Sequence, residues 1–338
     1  MVLESLVEVG NTPLICVDGI YAKLECTNPC GSIKDRIAKY IIEKSEEKGI
    51  LRKGMKIIEA TSGNTGIAFA FYGRQKGYAV TIIMPENMTE ERKRVIRGFG
   101  ATLIECSAEG SFAEAARIRD EMAKDPLYFN PDQFSNPLNV ECHYQTTGCE
   151  ILAQLAQIQK ENAKKYTQKY TAKPIDAFIA GVGTGGTLIG VGKALKEAYP
   201  SVQIVAVEPK ESSVMSGGKQ GIHGIGGIGD GFIPAIVNDV NNSDGNSDGG
   251  LSNIINEVFC VSTNEAREAA QYLEREFGFC VGVSSGANFF AARKFAERFD
   301  TVVTVFPDGY PKYQSMGLES SHNCPYRKSQ PIDSLVLK

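Results

Sequence analysis

The chain has 338 residues, of which 36 are basic and 40 acidic, for a formal net charge of −4. That length calls for two domains or one large α/β unit with a sizeable buried core. The basic residues are dispersed, which excludes an electrostatic footprint for nucleic acid or an anionic membrane and leaves a small molecule as the expected partner.

The first ten residues carry no apolar run, so no cleaved signal peptide is expected. The longest apolar stretch, Ala177 to Val191, is too short and too rich in glycine for a membrane span. Nine cysteines, an odd number without Cys-x-x-Cys spacing, read as reduced thiols of a cytoplasmic protein.

In chain order, the first informative segment is Asn28-Pro29-Cys30-Gly31 followed by Ser32-Ile33-Lys34-Asp35-Arg36. A sharp turn there presents Lys34 at a helix start, where a lysine can bind an aldehyde; the plain alternative is a surface ammonium. Strands are predicted over Met55–Ile58, Val80–Met84 and Thr102–Cys106, separated by helical periods such as Thr89–Phe99 and Phe112–Lys124. After the first strand, Thr61-Ser62-Gly63-Asn64-Thr65 opens a helix, and its hydroxyls and amides suit a carboxylate. Simple capping by Thr61 or Ser62 is the plain reading of the same loop.

One helix is predicted over Asn139–Gln157. It carries Cys142 and Cys149 with His143 beside them, and the two cysteines read as buried structural residues of an amphipathic helix rather than metal ligands. A second run of strands follows at Ala177–Val182, Gln203–Val207, Glu257–Val261 and Val302–Phe306, with helices over Asn264–Phe277 and Gly286–Phe299. Between the first two strands of this run, Gly183-Thr184-Gly185-Gly186-Thr187 has the form of a phosphate loop at a helix N-terminus. It lacks both the dinucleotide and the Walker spacing, and an empty strand-to-helix turn is the plain reading. Ser284 and Ser285 start the helix before the last strand. The glycine ladder Gly221–Phe232 permits close approach to a ligand, and Asp230 within it is either a turn residue or a cleft acid. The Asn-, Asp-, Ser- and Gly-rich stretch Asn238–Asn253 reads as a surface insertion, and the tail Ser320–Lys338 has no clear period. Two runs of strand-helix units predict two αβα domains with mostly parallel twisted sheets and the site in the cleft between them.

These residues carry a resemblance. From Gly10-Asn11-Thr12-Pro13-Leu14 through NPCGSIKDR, EATSGNTGIA, DQFSNPLN, TGCEI, GVGTGGT, GIGDGF and VGVSSGAN to PDGYPKY, the chain resembles the cysteine synthase and cystathionine β-synthase family of fold type II pyridoxal-phosphate enzymes. The resemblance implies a tryptophan-synthase-β-like fold. The larger, cofactor-binding domain would span residues 1–34 and 139–338, and the smaller, mobile substrate domain residues 35–138. It implies pyridoxal 5'-phosphate as cofactor and Lys34 as its Schiff-base lysine and acid-base group. Asn64 would meet the ring 3'-oxygen, Gly183, Thr184, Gly185, Gly186 and Thr187 the phosphate, and Ser284 the pyridine nitrogen. Thr61, Ser62, Thr65 and Gln133 would clamp the substrate carboxylate.

The implied reaction is β-elimination and β-replacement on a β-substituted L-amino acid through α-aminoacrylate, with sulfide or a thiol as second substrate. The first expectation is cysteine synthesis from O-acetyl-L-serine and sulfide. The alternative is a cysteine lyase that releases hydrogen sulfide, with Asp230 as base and serine or a thioether amino acid as product. A non-catalytic member that binds serine acetyltransferase is the alternative of another class, and a homodimer is implied throughout. Four departures stand out: Cys30 beside the lysine turn, Asp230 where a neutral residue is usual, Pro311-Lys312-Tyr313 in place of Glu-Arg-Tyr, and the Asn-rich insertion. The pattern shows neither a haem-binding extension nor a regulatory tandem.

Overall fold

The computed structural model describes residues 8–61, 63–109, 111–165, 173–238 and 252–309. The chain opens with a hairpin that was not expected, β1 (Leu14–Val17) and β2 (Ile20–Leu24). Its two-residue turn is Asp18-Gly19, both at positive φ (48° and 77°), which is the conformation a tight right-twisted hairpin needs. Helix α1 (Lys34–Glu47) leads into β3 (Lys56–Ala60), α2 (Asn64–Gln75), β4 (Ala79–Pro85), α3 (Glu90–Gly98), β5 (Thr102–Cys106), α4 (Ser111–Met122) and a two-residue β6 (Tyr128–Phe129).

The predicted helix Asn139–Gln157 is three pieces. Helix α5 (Pro137–His143) and α6 (Cys149–Lys165) flank a π-helical turn, Tyr144–Gly148. The extra residue in that turn shifts the faces on either side. Cys142 is therefore buried while Cys149 is exposed, a correction to the reading of both as buried structural cysteines. The remainder is β7 (Ala177–Gly181), α7 (Gly186–Ala198), β8 (Gln203–Pro209), β9 (Glu257–Val261), α8 (Thr263–Phe277), α9 (Val283–Ala296) and β10 (Val302–Phe306). Residues 239–251 and 310–338, which hold most of the Asn-rich stretch and the Pro311-Lys312-Tyr313 departure, lie outside the described residues, as does Ser62.

The strands form two sheets, β1-β2-β10-β7-β8-β9 and β5-β4-β3-β6, parallel except for the β1–β2 hairpin. Both faces of each are covered, and the strand alternation shows it. In β3, Ile57 packs with α1, α2 and α3, whereas Ile58 packs with Ala115 of α4. In β7, Ile179 faces α8 and α9, and Phe178 faces α6 and α7. Each such buried side chain contributes about 2 kcal/mol relative to exposure, so period-two runs of apolar residues can hold a helix layer on either side. The result is the expected αβα pair. The loops at the carboxyl ends of β3 and β7 both open onto the cleft between the two sheets.

Candidate active site

Lys34 is the first residue of α1. Gly31 takes φ 72° just before it, Ile33 N–H donates to the Pro307 carbonyl at 2.8 Å, and Ser32 bridges Asp308. These contacts stitch the lysine turn to the segment after β10. The next two residues anchor it. The Asp35 carboxylate accepts the N–H groups of Cys30 (2.9 Å) and Ser32 (3.2 Å) and the Tyr72 hydroxyl (2.9 Å). Arg36 pairs with Glu25 at 2.6 Å and Glu150 at 2.7 Å, and Glu150 also holds Lys23 at 2.7 Å. Cys30 is buried in the core beside α1 and α2, so it behaves as a small apolar side chain.

Some of the Lys34 side chain still faces the cleft, but its ammonium sits within a full shell of protein. Burial pushes its pKa down from the ordinary lysine value, against the charges of Asp230, Asp308 and Glu59. Asp230 is the mirror case. Burial raises its pKa, and Lys34 and then His223 oppose the rise. The glycine ladder that carries Asp230 is pinned: Ile225 and Ile228 are buried, and Gly229 N–H donates to the Val182 carbonyl at 3.0 Å.

Lys34, Thr61, Asn64, Thr65, Gln133 and Asp230 line one cavity. A neighbouring cavity is lined by Lys34, Asn64, Gly183, Thr184, Gly185, Thr187, Ser284 and Asp308. Gly186, the first residue of α7, is buried at the same turn. Thus the structure brings together every candidate residue that it describes. Thr61 does not cap α2, whose N-cap is Gly63; its hydroxyl instead accepts the Gly63 N–H at 3.1 Å. Thr65 donates its hydroxyl to Gln133 Oε1 at 2.7 Å.

Three residues near the site were not anticipated. Asp308 accepts the Asn64 amide N–H at 2.7 Å, and its place in PDGYPKY immediately after a strand was a usable signal. Buried His143 lies 2.9 Å from the Thr147 hydroxyl through Nδ1 and 3.2 Å from Thr187 through Nε2, bridging the π-helical turn to the glycine loop. Burial, then the charges of Arg36 and Lys34, hold it well below the ordinary histidine pKa, so the ring is neutral. Glu59 is an acid that follows two isoleucines within β3, which the sequence does display. Among the described residues no group of three or more His, Cys, Asp or Glu can hold a metal ion, and no helix is long and apolar enough to cross a membrane.

Residues 6–308 match the family described as pyridoxal-phosphate dependent enzyme. The chain is 40% identical to the cysteine synthase of Staphylococcus aureus, over 92% of this chain and 95% of that one. It is similar to the solved cysteine synthase of Entamoeba histolytica (32% identity, TM-score 0.79, 100% of this chain and 96% of that one). It is also similar to the hydrogen sulfide-producing enzyme of Fusobacterium nucleatum (38% identity, TM-score 0.76, 94% and 87%). The chain belongs to the pyridoxal-phosphate-dependent enzyme family and is a β-replacement enzyme of the cysteine synthase type.

The residues present fit that cofactor. A Cβ at Gly183 would overlap the Gly227 carbonyl and one at Gly186 would overlap Asn139, so the loop leaves bare backbone at the start of a 13-residue helix. Such an end offers free N–H groups and positive potential to a phosphate. When bound, pyridoxal phosphate supplies an aldehyde for imine formation and an electron-withdrawing ring.

Proposed function

We propose that the chain uses L-cysteine as donor, expels sulfide, and adds a second nucleophile that Asp230 activates. The observation that carries this is the half-buried Asp230 carboxylate in the same cavity as Lys34. A carboxyl group whose proton affinity is raised by burial is a better base for water or a thiol than an exposed one. With water the products are hydrogen sulfide and L-serine; with a second thiol they are hydrogen sulfide and a thioether amino acid. A hydrogen sulfide-producing relative has been solved as an aspartate-to-asparagine variant complexed with an α-aminoacrylate intermediate.

In this reading Lys34 takes the aldehyde and moves the Cα proton. Asn64, oriented by Asp308, faces the ring oxygen, Ser284 the ring nitrogen and Gly183–Thr187 the phosphate. Thr61, Ser62, Thr65 and Gln133 hold the substrate carboxylate, and residues 35–138 form the smaller, substrate-binding unit. A neutral Ser284 hydroxyl, in place of an acid, leaves the ring less electron-withdrawing and favours elimination and replacement.

The second reading, cysteine synthesis from O-acetyl-L-serine and sulfide, is supported by the 40% identity to a cysteine synthase. The two share a half-reaction, because loss of sulfide from cysteine reverses its addition. The leaving group that departs faster decides between them. Sulfide released from L-cysteine alone, compared with acetate released from O-acetyl-L-serine plus sulfide, separates them. Asp230→Asn is expected to slow the first about 100-fold and the second much less. Equal losses would remove Asp230 as the base, and no sulfide from cysteine would leave the synthase reading.

The reading also includes a cytoplasmic homodimer with serine acetyltransferase as a partner. Light scattering alone and with the acetyltransferase tests both associations.

A further inference from the structure

The interior of the four-stranded sheet holds a carboxylate that the chemistry above does not use. Glu59 lies on β3, fully buried, two residues before Thr61. Its Oε1 accepts the Ala60 N–H at 3.0 Å, and the main-chain amide of Gln133 is near enough to favour the ionised form. Arg119 Nη1 of α4 stands 3.5 Å from Oε1, while Oε2 has no hydrogen-bond partner among the described residues. An aliphatic side chain between buried Ile58 and Ala60 would avoid the desolvation penalty of a half-satisfied carboxylate. A role is therefore to be sought in what the carboxylate touches.

Gln133 is the joint. Its Oε1 accepts the Thr65 hydroxyl at 2.7 Å, and its carbonyl accepts Asn139 Nδ2 at 2.8 Å. The same Asn139 Nδ2 reaches the Thr184 hydroxyl at 2.9 Å. Gln133 thereby ties the loop after β3 to the loop after β7, and Glu59 sits directly behind it.

We propose that Glu59 is a positioning residue that sets the substrate-carboxylate loop through the amides of Ala60 and Gln133, and that its proton changes the charge behind that loop. The inference rests on the proposed assignment of Thr61, Thr65 and Gln133 to the substrate carboxylate, and it holds for either donor. The charged groups that face Glu59 are Arg119 from α4, Asp132 from the segment after β6, and Lys34 from α1. Burial disfavours the ionised form most, Arg119 and the Ala60 amide favour it, and Asp132 opposes it, leaving the pKa pushed up to about 7. Arg119 is itself shared with Asp120 at 2.8 Å and Asp132 at 3.6 Å, which weakens its hold on Glu59. An arriving substrate carboxylate is a like charge, so it is held better beside protonated than beside ionised Glu59. Substrate affinity should then weaken as Glu59 loses its proton.

The test is the KM of the holoenzyme for O-acetyl-L-serine and for L-cysteine between about pH 5.5 and pH 8.5, in the native chain and in Glu59→Gln. Glutamine keeps the acceptor oxygen and removes the ionisation, while titration of the substrate amine affects both proteins alike. The ratio of native to variant KM is expected to rise about fivefold through pH 7, with no matching trend in the kcat ratio. A ratio independent of pH overturns the inference. If Glu59→Gln does not fold, Arg119→Gln removes the facing cation and should move the midpoint of the native KM profile to higher pH; an unmoved midpoint overturns it equally. Thr65→Ala separates the two levels. An unchanged KM there sinks the loop assignment and the inference with it, whereas a raised KM beside a flat Glu59 ratio sinks the inference alone.

Discussion

After β3 and after β7 the chain makes the same move, a strand end turning into a helix start over the cleft, but different contacts hold the two turns. The loop Gly183–Thr187 has side-chain partners at Thr184 and Thr187, but its shape is set by packed backbone: Gly185 takes φ 86°, and the Gly227 carbonyl oxygen lies 2.3 Å from where a Cβ on Gly183 would be. The loop Thr61–Thr65 is fixed by side chains, through the Thr61 hydroxyl on Gly63 N–H and the Thr65 hydroxyl on Gln133. Its closest neighbour at Gly63 is the Arg92 side chain, 2.7 Å from where a Cβ would lie, which can swing aside. A turn built of packed backbone has one shape and suits a cofactor that stays. Hydroxyls that can rotate to a new partner suit a substrate that arrives and leaves.

The largest expected effect tests what both loops serve. Lys34→Ala should lower turnover by about 1,000-fold or more with either donor; retained activity, measured as product formation per cofactor bound, would end the reading of both loops. Next, Gly183→Ala should weaken the bound cofactor by about tenfold or more and destabilise the fold by about 2 kcal/mol, because the Gly227 backbone has nowhere to go. Cofactor titration and thermal melting measure this, and a neutral result would break the contrast by showing that the glycine ladder yields. Thr65→Ala should raise KM by about tenfold while leaving the melting temperature within a few degrees, the mark of a loop held by single hydroxyls.

The smallest effect concerns the platform below both loops, where Glu150 and Arg36 tie α6 to the helix that carries Lys34. Burial works against ionised Glu150, but Arg36 and Lys23 outweigh it and lower its pKa to about 2. A carboxyl that is more acidic in the folded state stabilises it above the unfolded pKa and loses that contribution as pH falls towards 2. After allowance for partial exposure, about 0.5 kcal/mol should disappear between about pH 4.5 and pH 3.5. Melting curves of the native chain and Glu150→Gln over that range check it, and parallel pH slopes would contradict it.

Much of this was readable beforehand for a local reason. Strand, turn and helix start are encoded within a few residues of one another, so the loops at Thr61 and Gly183, the lysine turn and the strands β3, β4, β5 and β7 fall where the pattern puts them, while the two-residue β6 is too short to show a period. The β1–β2 hairpin was readable too, from Asp18-Gly19 between short apolar runs, and was missed because a helical and a strand period cannot be told apart over four residues. The π-helical turn was not readable: Tyr144–Gly148 has nothing in its sequence that distinguishes it from ordinary helix, and it is His143 meeting Thr187 that gives the turn a use.

Asp230 shows the same limit. The sequence displayed an acid in a glycine ladder, but its place in one cavity with Lys34 depends on Ile225 and Ile228 docking the ladder against the far sheet. The sequence by itself determined the αβα layers, the two helix-start loops and the lysine turn before them, because apolar period and glycine placement act over neighbouring residues. Tertiary structure alone decided that Asp308 orients Asn64 across 244 positions, that Gln133 joins the two loops, and that Glu59 is buried with one oxygen unsatisfied. Those contacts cross between sheets, and the desolvation and charge they impose exist only once the whole chain has closed around them.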